Sequence, residues 1–397
     1  MTTLASWFLS TTAVLLAIPT TVFLIEILAA VFLAKRSTVV EDDGLGRGTV
    51  AVLLPAHNES GILRPTLDDI KGQLRPGDRL VVVADNCTDD TAAIAGSSGA
   101  EITERSDPTR IGKGYALDWG LRYLADNPPE TVIMIDADCR ISPGTLDQLA
   151  ALSGKTQRPV QALYLMTAPT GSGINHQVAE FAWRLKNWVR PLGLNNLGLP
   201  CQLMGSGMAF PWNIIHTAEF ASGHIVEDLK LGIEFAGVGH PPLFCPSAVV
   251  TSHFPTSAQG AEMQRHRWEQ GQIGLVLKLA PMLFYRSAKD RNLGLFALTL
   301  NLCVPPISLF ILVSVTIVFL SAAAALAGLS ALAFVVSSAC VATLVAGAGL
   351  AWFNRGRDIL PLRSFVLIAN YTFVKLRMYK AVILGQRISH WIRADRS

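Results

Sequence analysis

The chain has 397 residues, of which 50% are hydrophobic and 16% charged, and its formal net charge is +3. A typical soluble protein carries about 25% charged residues. The composition therefore predicts a membrane-embedded portion and excludes disordered and fibrous proteins. The mild positive charge comes without a long basic run, so it gives no support for nucleic-acid binding.

The cysteines show neither a CxxC pair nor the spacing of a metal site. We interpret them as reduced thiols, four in a cytosolic domain and two in membrane helices. In chain order they are Cys87, Cys139, Cys201 and Cys245, followed by Cys303 and Cys340.

Residues 10–34 form the first apolar segment, long enough for the roughly 20 residues of a spanning helix. Lys35 and Arg36 follow it, whereas a cleaved signal peptide carries its positive charge before a shorter apolar core. By the positive-inside rule this end of the span faces the cytoplasm. We expect Glu26, near one boundary, to reach toward the lipid headgroups. The alternative is that it faces another helix or marks a functional site.

The middle of the chain, residues 48–271, alternates β-rich runs with helical patterns. The runs are 49–56, 79–85 and 131–138, and residues 145–153 have a helical pattern. This alternation predicts an α/β fold with parallel strands and crossover helices. Ligands of such sheets bind beyond the carboxyl ends of the strands, so the polar residues that follow each run are candidate site residues.

Asp136 and Asp138 follow the third run. In extended backbone, residues i and i+2 project to the same side, so the two carboxylates can share a cation. Paired hard oxygens with open positions suit Mg²⁺ or Mn²⁺ that bridges to substrate phosphates. The alternative is that each Asp only caps the turn after the strand.

Lys113 lies between two glycines at the start of a predicted helix, where backbone and ammonium can approach an anion together. The spacing does not fit a P-loop, because Gly114 replaces the Ser or Thr. The Gly-Ser-Gly at 205–207 lacks the flanking glycines of a nucleophile elbow. Hydrolase and zinc-enzyme functions therefore have little support.

Two further motifs follow. Glu227 and Asp228 begin a predicted helix, either as favourable charge at its N-terminus or as a general base. Residues 264–268, QRHRW, precede an apolar stretch. Their arginines and Trp268 can bind phosphate and stack on a sugar ring, or they can simply anchor the chain to a membrane.

The C-terminal third is predicted to lie at or in the membrane. Residues 272–294 look interfacial, with a break at Pro281. Residues 295–320 and 329–353 are predicted as two spans of a hairpin. Basic residues flank the hairpin on both sides, which places the N-terminus outside and the C-terminus inside.

The tail, residues 354–397, is apolar in stretches but carries several basic residues, which is typical of an amphipathic helix in the interface. A fourth span over 360–384 is the alternative. The predicted organisation is thus a first span and linker (1–47), a cytoplasmic domain (48–271), an interfacial segment (272–294), a hairpin (295–353) and an interfacial tail (354–397).

Taken in order, the motifs PAHNE, ADNCTDD, GKG, DAD, VED and QRHRW resemble those of a membrane-integrated family 2 glycosyltransferase. The resemblance covers residues 48–397, with dense motifs up to Trp268 and topology alone afterwards. A DxD motif alone is unspecific, whereas DxD, ED and QxxRW in this order are specific. Bacterial exopolysaccharide synthases of the cellulose, hyaluronan and poly-N-acetylglucosamine types are the most similar in kind. Sphingolipid glucosyltransferases have similar motifs.

The resemblance implies a Rossmann-like GT-A domain that uses a nucleotide-sugar, usually UDP-linked, with inversion at the anomeric carbon and with Mg²⁺ or Mn²⁺. It implies that Asp228 is the catalytic base and that Asp136 and Asp138 hold the metal. The implied donor-binding residues are Pro55, His57, Glu59, Asp85, Lys113, Asp136 and Arg267, with Asp85 on the uracil base. The implied acceptor-binding residues are Gln264, Trp268, Gly205 and Ser206.

The expected function is sugar transfer to a growing saccharide or lipid-linked acceptor at the cytoplasmic face of the inner membrane, in exopolysaccharide synthesis. Other synthesis or export proteins are possible partners. Three predicted spans are few for a self-contained polysaccharide channel, so a transferase that adds one sugar to a lipid is an alternative. A noncatalytic membrane scaffold is a second alternative. Such a protein would be free to lose the carboxylates or Arg267, and all of these are present.

Overall fold

The computed structural model describes residues 2–34, 47–218, 220, 227–256, 258–329 and 331–362. Its strands are β1 (Val50–Ala56), β2 (Arg79–Asp85), β3 (Glu101–Arg105), β4 (Thr131–Met134), β5 (Arg140–Ile141), β6 (Val160–Thr167), β7 (Met208–Pro211) and β8 (Leu243–His253).

The helices of the domain are α2 (Leu63–Lys71), α3 (Thr91–Ser97), α4 (Lys113–Leu124), α5 (Thr145–Thr156), α6 (Ile174–Arg184), α7 (Arg190–Asn196), α8 (Trp212–Ile215) and α9 (Glu227–Gly237). A π-helical turn, Leu185–Val189, joins α6 to α7. The long helices outside the sheet are α1 (Thr2–Phe32), α10 (Ala258–Lys289), α11 (Leu293–Leu302), α12 (Ile307–Leu326) and α13 (Ala331–Arg355).

The strands form one sheet in the order β3-β2-β1-β4-β7-β6-β8-β5. The first four strands are parallel, which confirms the prediction for that half. The other half is mixed, because β7 pairs antiparallel with both β4 and β6, and β5 pairs antiparallel with β8. The α/β fold is as predicted, but its antiparallel half is not visible in an alternation of strands and helices.

The central strands β1 and β2 are buried along almost their whole length, as expected for a sheet covered by helices on both faces. Alternate residues of β1 serve two cores. Leu54 packs with α2, and Leu53 packs with α4. A Cβ on Gly120 would lie 2.4 Å from the Leu53 side chain, so this glycine lets α4 approach the sheet closely. The helix that begins at Lys113 is thereby fixed against the strands that end at the site.

Three described helices are long and apolar enough to span a membrane, over Leu4–Phe32, Ile307–Leu326 and Ala331–Arg355. The predicted first and third spans are thus present as such helices. The second, expected at 295–320, begins only at Ile307. Pro305 and Pro306 separate it from α11, because proline lacks the backbone N–H that a continuous helix needs.

Two further expectations about this region are wrong. Pro281 does not end a helix, because α10 continues through it from Ala258 to Lys289. Helix α10 therefore spans the boundary predicted after residue 271. Cys303 lies between α11 and α12 rather than in a membrane helix, whereas Cys340 is in α13. The predictions for the tail fall on 363–397, outside the described residues.

Glu26 does not reach toward headgroups, so that expectation is wrong; as in the alternative, it faces other helices. The side chain is 1% exposed. Arg190 of α7 donates to one carboxylate oxygen at 2.5 Å, and Asn301 of α11 donates to the other at 2.6 Å. A Cβ on Gly193 would lie 1.9 Å from the Glu26 carbonyl oxygen, so glycine is what lets α7 lie directly on α1.

Candidate functional site

The loops after β1 and β2 interlock at the carboxyl edge of the sheet. The His57 imidazole Nδ1 contacts the Asp85 carbonyl oxygen at 2.7 Å. The backbone N–H of Glu59 donates to the Thr91 hydroxyl at 2.8 Å. Pro55 is at the end of β1, next to both. These four predicted donor-binding residues are thus together, although their roles stay predictions.

Asp85 is 5% exposed and accepts a hydrogen bond from Arg105 at 2.6 Å. Arg105 also lies over the Tyr115 ring. Asp85, held in this way at the end of β2, is well placed to accept a hydrogen bond from the edge of a nucleotide base. Arg105 was not predicted at the site.

Asp136 and Asp138 follow β4 in a turn, in which the Cys139 N–H donates to the Asp136 carbonyl oxygen at 3.1 Å. The extended backbone assumed from the sequence is therefore wrong. Ligand atoms of Asp136, Asp138 and Cys139 nevertheless lie within 4.8 Å of one another. The Ser252 hydroxyl donates to Asp138 at 3.1 Å and so orients that carboxylate.

This group fits a divalent cation. Two carboxylates offer the hard oxygens that Mg²⁺ and Mn²⁺ prefer. Burial raises the pKa of the Cys139 thiol to about 12. Asp136 and Asp138 are the two members of this group with such oxygens, and their role as metal ligands stays a prediction.

Lys113 begins α4, as predicted. Its ammonium forms an ion pair with Asp136 and donates to the Gly205 carbonyl oxygen at 2.6 Å. Burial lowers the pKa of Lys113, but Asp136 and Glu227 raise it by more, so the pKa lies above its ordinary value. Lys113 is therefore a positive charge beside the candidate metal ligands.

The segment before β7 joins these groups to the acidic helix α9. The Ser206 hydroxyl is fully buried, accepts from the Asp136 N–H at 3.1 Å and donates to the Cys139 sulfur at 3.3 Å. A Cβ on Gly205 would lie 3.5 Å from an Asp228 carboxylate oxygen. Ser206 thus positions Asp136, and Gly205 lies against Asp228. An acceptor role for either residue stays a prediction.

Glu227 and Asp228 are the first two residues of α9, as the motif predicted. Burial, and then the like charge of Asp228, raises the pKa of Glu227 to about 7. Burial also raises the pKa of Asp228, opposed by Lys113 and Lys186. Carboxylates whose pKa values are raised by burial are suited to accept a proton from a substrate hydroxyl.

Helix α10 carries the QxxRW residues Gln264, Arg267 and Trp268. Gln264 is 6% exposed, and its amide oxygen has no hydrogen-bond partner among the described residues. Burial lowers the pKa of Arg267, whereas the charge of Glu227 raises it, so the guanidinium lies within electrostatic range of the acidic pair. The Trp268 ring lies 5.0 Å from that of Trp183, tilted by 43°.

Trp183 and Lys186 belong to the site but were not predicted. Lys186 lies on the π-turn, a feature frequent at functional sites, and donates to the Gln272 side-chain oxygen at 3.3 Å. Burial lowers the pKa of Lys186, whereas Asp228 raises it. No motif marks either residue in the sequence.

Comparisons with known proteins identify the family of this chain. A family model described as glycosyltransferase like family 2 matches residues 47–271. The probable glycosyltransferase YdaM of Bacillus subtilis is 27% identical over 273 residues, which are 62% of this chain and 60% of that protein. The chain therefore spans about three fifths of the length of that relative. An uncharacterized glycosyltransferase of Mycobacterium tuberculosis is 36% identical over 188 residues, 42% of this chain and 82% of that one.

Among solved structures, the chain is similar to a mannosyltransferase from Pyrobaculum calidifontis in complex with GDP-Man and Mn²⁺. The TM-score is 0.51 at 18% identity, over 87% of this chain and 99% of that one. Such a likeness concerns the fold. It confirms the predicted GT-A-like arrangement.

Proposed function

Because the chain belongs to glycosyltransferase family 2 and is therefore a nucleotide-sugar transferase, we propose that it transfers the sugar with inversion, at the cytoplasmic face of a membrane. The acceptor is a growing saccharide or a lipid-linked acceptor, and the pathway is exopolysaccharide synthesis. The observation that carries the proposal is the acidic pair Glu227 and Asp228 at the start of α9, facing Lys113 and the carboxylates after β4.

In the proposed reaction, Asp228 accepts the proton of an acceptor hydroxyl as that oxygen bonds to the anomeric carbon. The bond from this carbon to the diphosphate oxygen breaks in the same step, so the configuration inverts. Lys113 and Arg267 stabilise the charge that grows on the leaving diphosphate. When Mg²⁺ or Mn²⁺ is bound by Asp136 and Asp138, it adds Lewis-acid stabilisation of the same charge.

The donor side is formed by the loops after β1 and β2. The pairing of Asp85 with Arg105 supports recognition of a nucleotide base there, and we propose a UDP-sugar as donor. The mannosyltransferase of similar fold binds GDP-Man, so a guanine nucleotide is the alternative to test.

We place the catalytic domain in the cytoplasm and the three spanning helices in the inner membrane. Lys35 and Arg36 after the first span, and Arg355 and Arg357 after the third, support this orientation. Ala327, between α12 and α13, should then face outside. A membrane-impermeant thiol reagent added to intact cells should label an Ala327→Cys variant, and absence of labelling would contradict the orientation.

Single addition to a lipid is a second candidate. The described residues provide three candidate spans, which are few for enclosing a polymer channel. The length of the product distinguishes the two activities. Polymer synthesis would also require other synthesis or export proteins as partners.

The test is incorporation of radiolabelled sugars by membranes that contain the protein. A panel of UDP-sugars and GDP-sugars is supplied with Mn²⁺, with Mg²⁺ or with neither. We expect one donor to label a product in wild-type membranes and not in Asp228→Asn membranes, with a requirement for the cation. If no donor gave labelling above that of Asp228→Asn, the proposed function would be wrong.

A further inference from the structure

A chain of buried side-chain hydrogen bonds leads from the first spanning helix to the site. Asn301 of α11 donates to the Glu26 carboxylate at 2.6 Å. Its amide oxygen accepts from Gln202 at 2.6 Å. Gln202 belongs to the segment 201–207, which runs from α7 toward β7. Both sides of the Asn301 amide are therefore engaged, and each contact fixes the direction of the other.

The other end of this segment holds two donor-side residues. The Gly205 carbonyl accepts from Lys113, and the Ser206 hydroxyl accepts from the Asp136 N–H. Between the ends, the buried Gln161 side chain accepts from the Met204 N–H at 2.7 Å and donates to the Ser206 carbonyl at 2.8 Å. The position of the segment therefore sets where Lys113 and Asp136 lie.

A carboxylate inside an apolar helix is costly and is retained where it has a partner or a function. Arg190 supplies the compensating charge for Glu26. The ion pair between Glu26 and Arg190 does not need Asn301 or Gln202. Asn301 is 5% exposed, and Gln202 is partly buried. Their alignment with the carboxylate extends the polar contact out of the membrane helices and into the segment next to Asp228.

We propose that Glu26, Asn301 and Gln202 are positioning residues, which tie the segment 201–207 to the first spanning helix and so place Lys113 and Asp136 for the donor. The effect on catalysis rests on the proposed function, whereas the effect on the segment does not. A purely structural role would lower the stability of the whole protein without moving this segment selectively.

Native cysteines report on the segment directly. Cys201 lies next to Gln202 and is fully buried, and Cys245 in β8 is equally buried and serves as the reference for global unfolding. The variants are Gln202→Leu and Asn301→Leu. The control is Ser321→Ala, which removes a buried 2.9 Å hydrogen bond to Ser337 between α12 and α13, far along the chain from the segment.

The full-length protein in membranes is treated with a thiol reagent, and each cysteine is quantified by mass spectrometry. We expect Cys201 to react at least about fivefold faster in both variants, as local opening predicts, with Cys245 and the Ser321→Ala control unchanged. Unchanged reactivity of Cys201 in both variants would overturn the proposal. So would equal exposure of Cys201 and Cys245, because that is global unfolding.

Kinetics supply the second readout. Each variant should lower kcat by roughly tenfold with a smaller change in the donor KM, and the double variant should lose little more than either single one, because the residues act as a unit. If the losses of kcat multiplied in the double variant, Asn301 and Gln202 would not act through one chain of hydrogen bonds. An inactive wild-type protein would refute the proposed function, whereas the labelling of Cys201 would still decide on the positioning chain.

Discussion

The site has a donor side, formed by the loops after the parallel strands with Lys113, and a membrane side, formed by α6, the π-turn with Lys186, α9 and α10. The two sides hold their lysines in different ways. On the donor side, Lys113 is paired with the carboxylate of Asp136, and its pKa is raised because the surrounding acids outweigh burial. On the membrane side, Lys186 contacts the neutral amide of Gln272, and burial lowers its pKa. The first lysine has a fixed charge and a fixed partner. The second has a neutral partner and a pKa lowered by burial.

The contrast extends to how each side is built. The donor side consists of short loops that follow adjacent parallel strands, so its residues meet because of the sheet order. The membrane side is assembled from α6, α9 and α10, whose site residues meet only through packing between helices. We therefore expect substitutions on the donor side to change binding of the donor and metal and stabilisation of the leaving diphosphate, and those on the membrane side to change proton transfer and use of the acceptor.

The largest effect is expected at the base. Asp228→Asn removes the proton acceptor and should lower kcat by about 10²- to 10⁴-fold, with donor affinity nearly unchanged. Glu234→Gln is the matched control, since it makes the same chemical change at an exposed position of α9. Rates and nucleotide binding would be measured in isolated membranes. Loss of affinity with an intact kcat would make Asp228 a binding residue.

On the donor side, Asp138→Asn should abolish cation-dependent transfer while the protein still folds, because an amide keeps the volume but loses the charge. Ser252→Ala removes the hydrogen bond that orients Asp138 and should raise the required Mn²⁺ concentration by about 10- to 100-fold. Titrations of activity with Mn²⁺ measure both effects. An unchanged Mn²⁺ requirement in Asp138→Asn would remove the metal assignment.

Arg267 separates catalysis from membrane anchoring. Arg267→Lys keeps a cation but loses the planar fork that binds a diphosphate, and we expect roughly a 10- to 100-fold loss of transfer with normal membrane attachment. Arg286→Lys, on the same helix at an exposed position, should have no such effect. Trp268→Leu should chiefly weaken use of the acceptor, since it removes the stacking face. Wild-type rates for both site variants would leave only the anchor role.

The pH profile reports on the acidic pair. A base works when ionised, so the rate should fall as the pH drops through the raised pKa values of the pair, with the acid limb near pH 7 as for Glu227. Glu227→Gln removes the like charge beside Asp228. The pKa of Asp228 should then fall, and the acid limb should move to lower pH. A shift to higher pH would contradict this coupling.

The smallest and most diagnostic effect is at Lys186. Its charge favours ionised Asp228, so Lys186→Met should raise the pKa of Asp228 and move the acid limb to higher pH, opposite to Glu227→Gln. Lys186→Arg should preserve the wild-type profile, and Lys230→Met on α9 is a control at a partly exposed lysine. If Lys186→Met lowered kcat equally at every pH, the lysine would have another role.

The sequence predicted what short-range patterns determine. Buried runs that end in polar residues located β1, β2 and β4, and the glycines around Lys113 located the start of α4. The motif order also singled out Asp138, Asp228 and Arg267, whose roles stay predictions. The turn at Asp136 was missed, because the strand ends at Met134 and the Asp136 N–H then donates to the Ser206 hydroxyl, which lies just before the neighbouring strand β7.

Contacts between residues far apart in the chain were not predictable in this way. Glu26 and Asn301 are 275 positions apart, and no local pattern shows that an apolar helix will place its carboxylate on that amide. Lys186 likewise carries no motif, since its role depends on the π-turn and on the packing of α10. The antiparallel half of the sheet depends on the same kind of distant pairing.

Single displacement assisted by Asp228 determines the anomeric configuration of the product. Once the donor has been identified, the new glycosidic linkage is examined by proton NMR. We predict that a sugar α-linked in the donor is β-linked in the product. An α-linked product would contradict it, because retention requires a second displacement or a different attack geometry from the one that Asp228 supports.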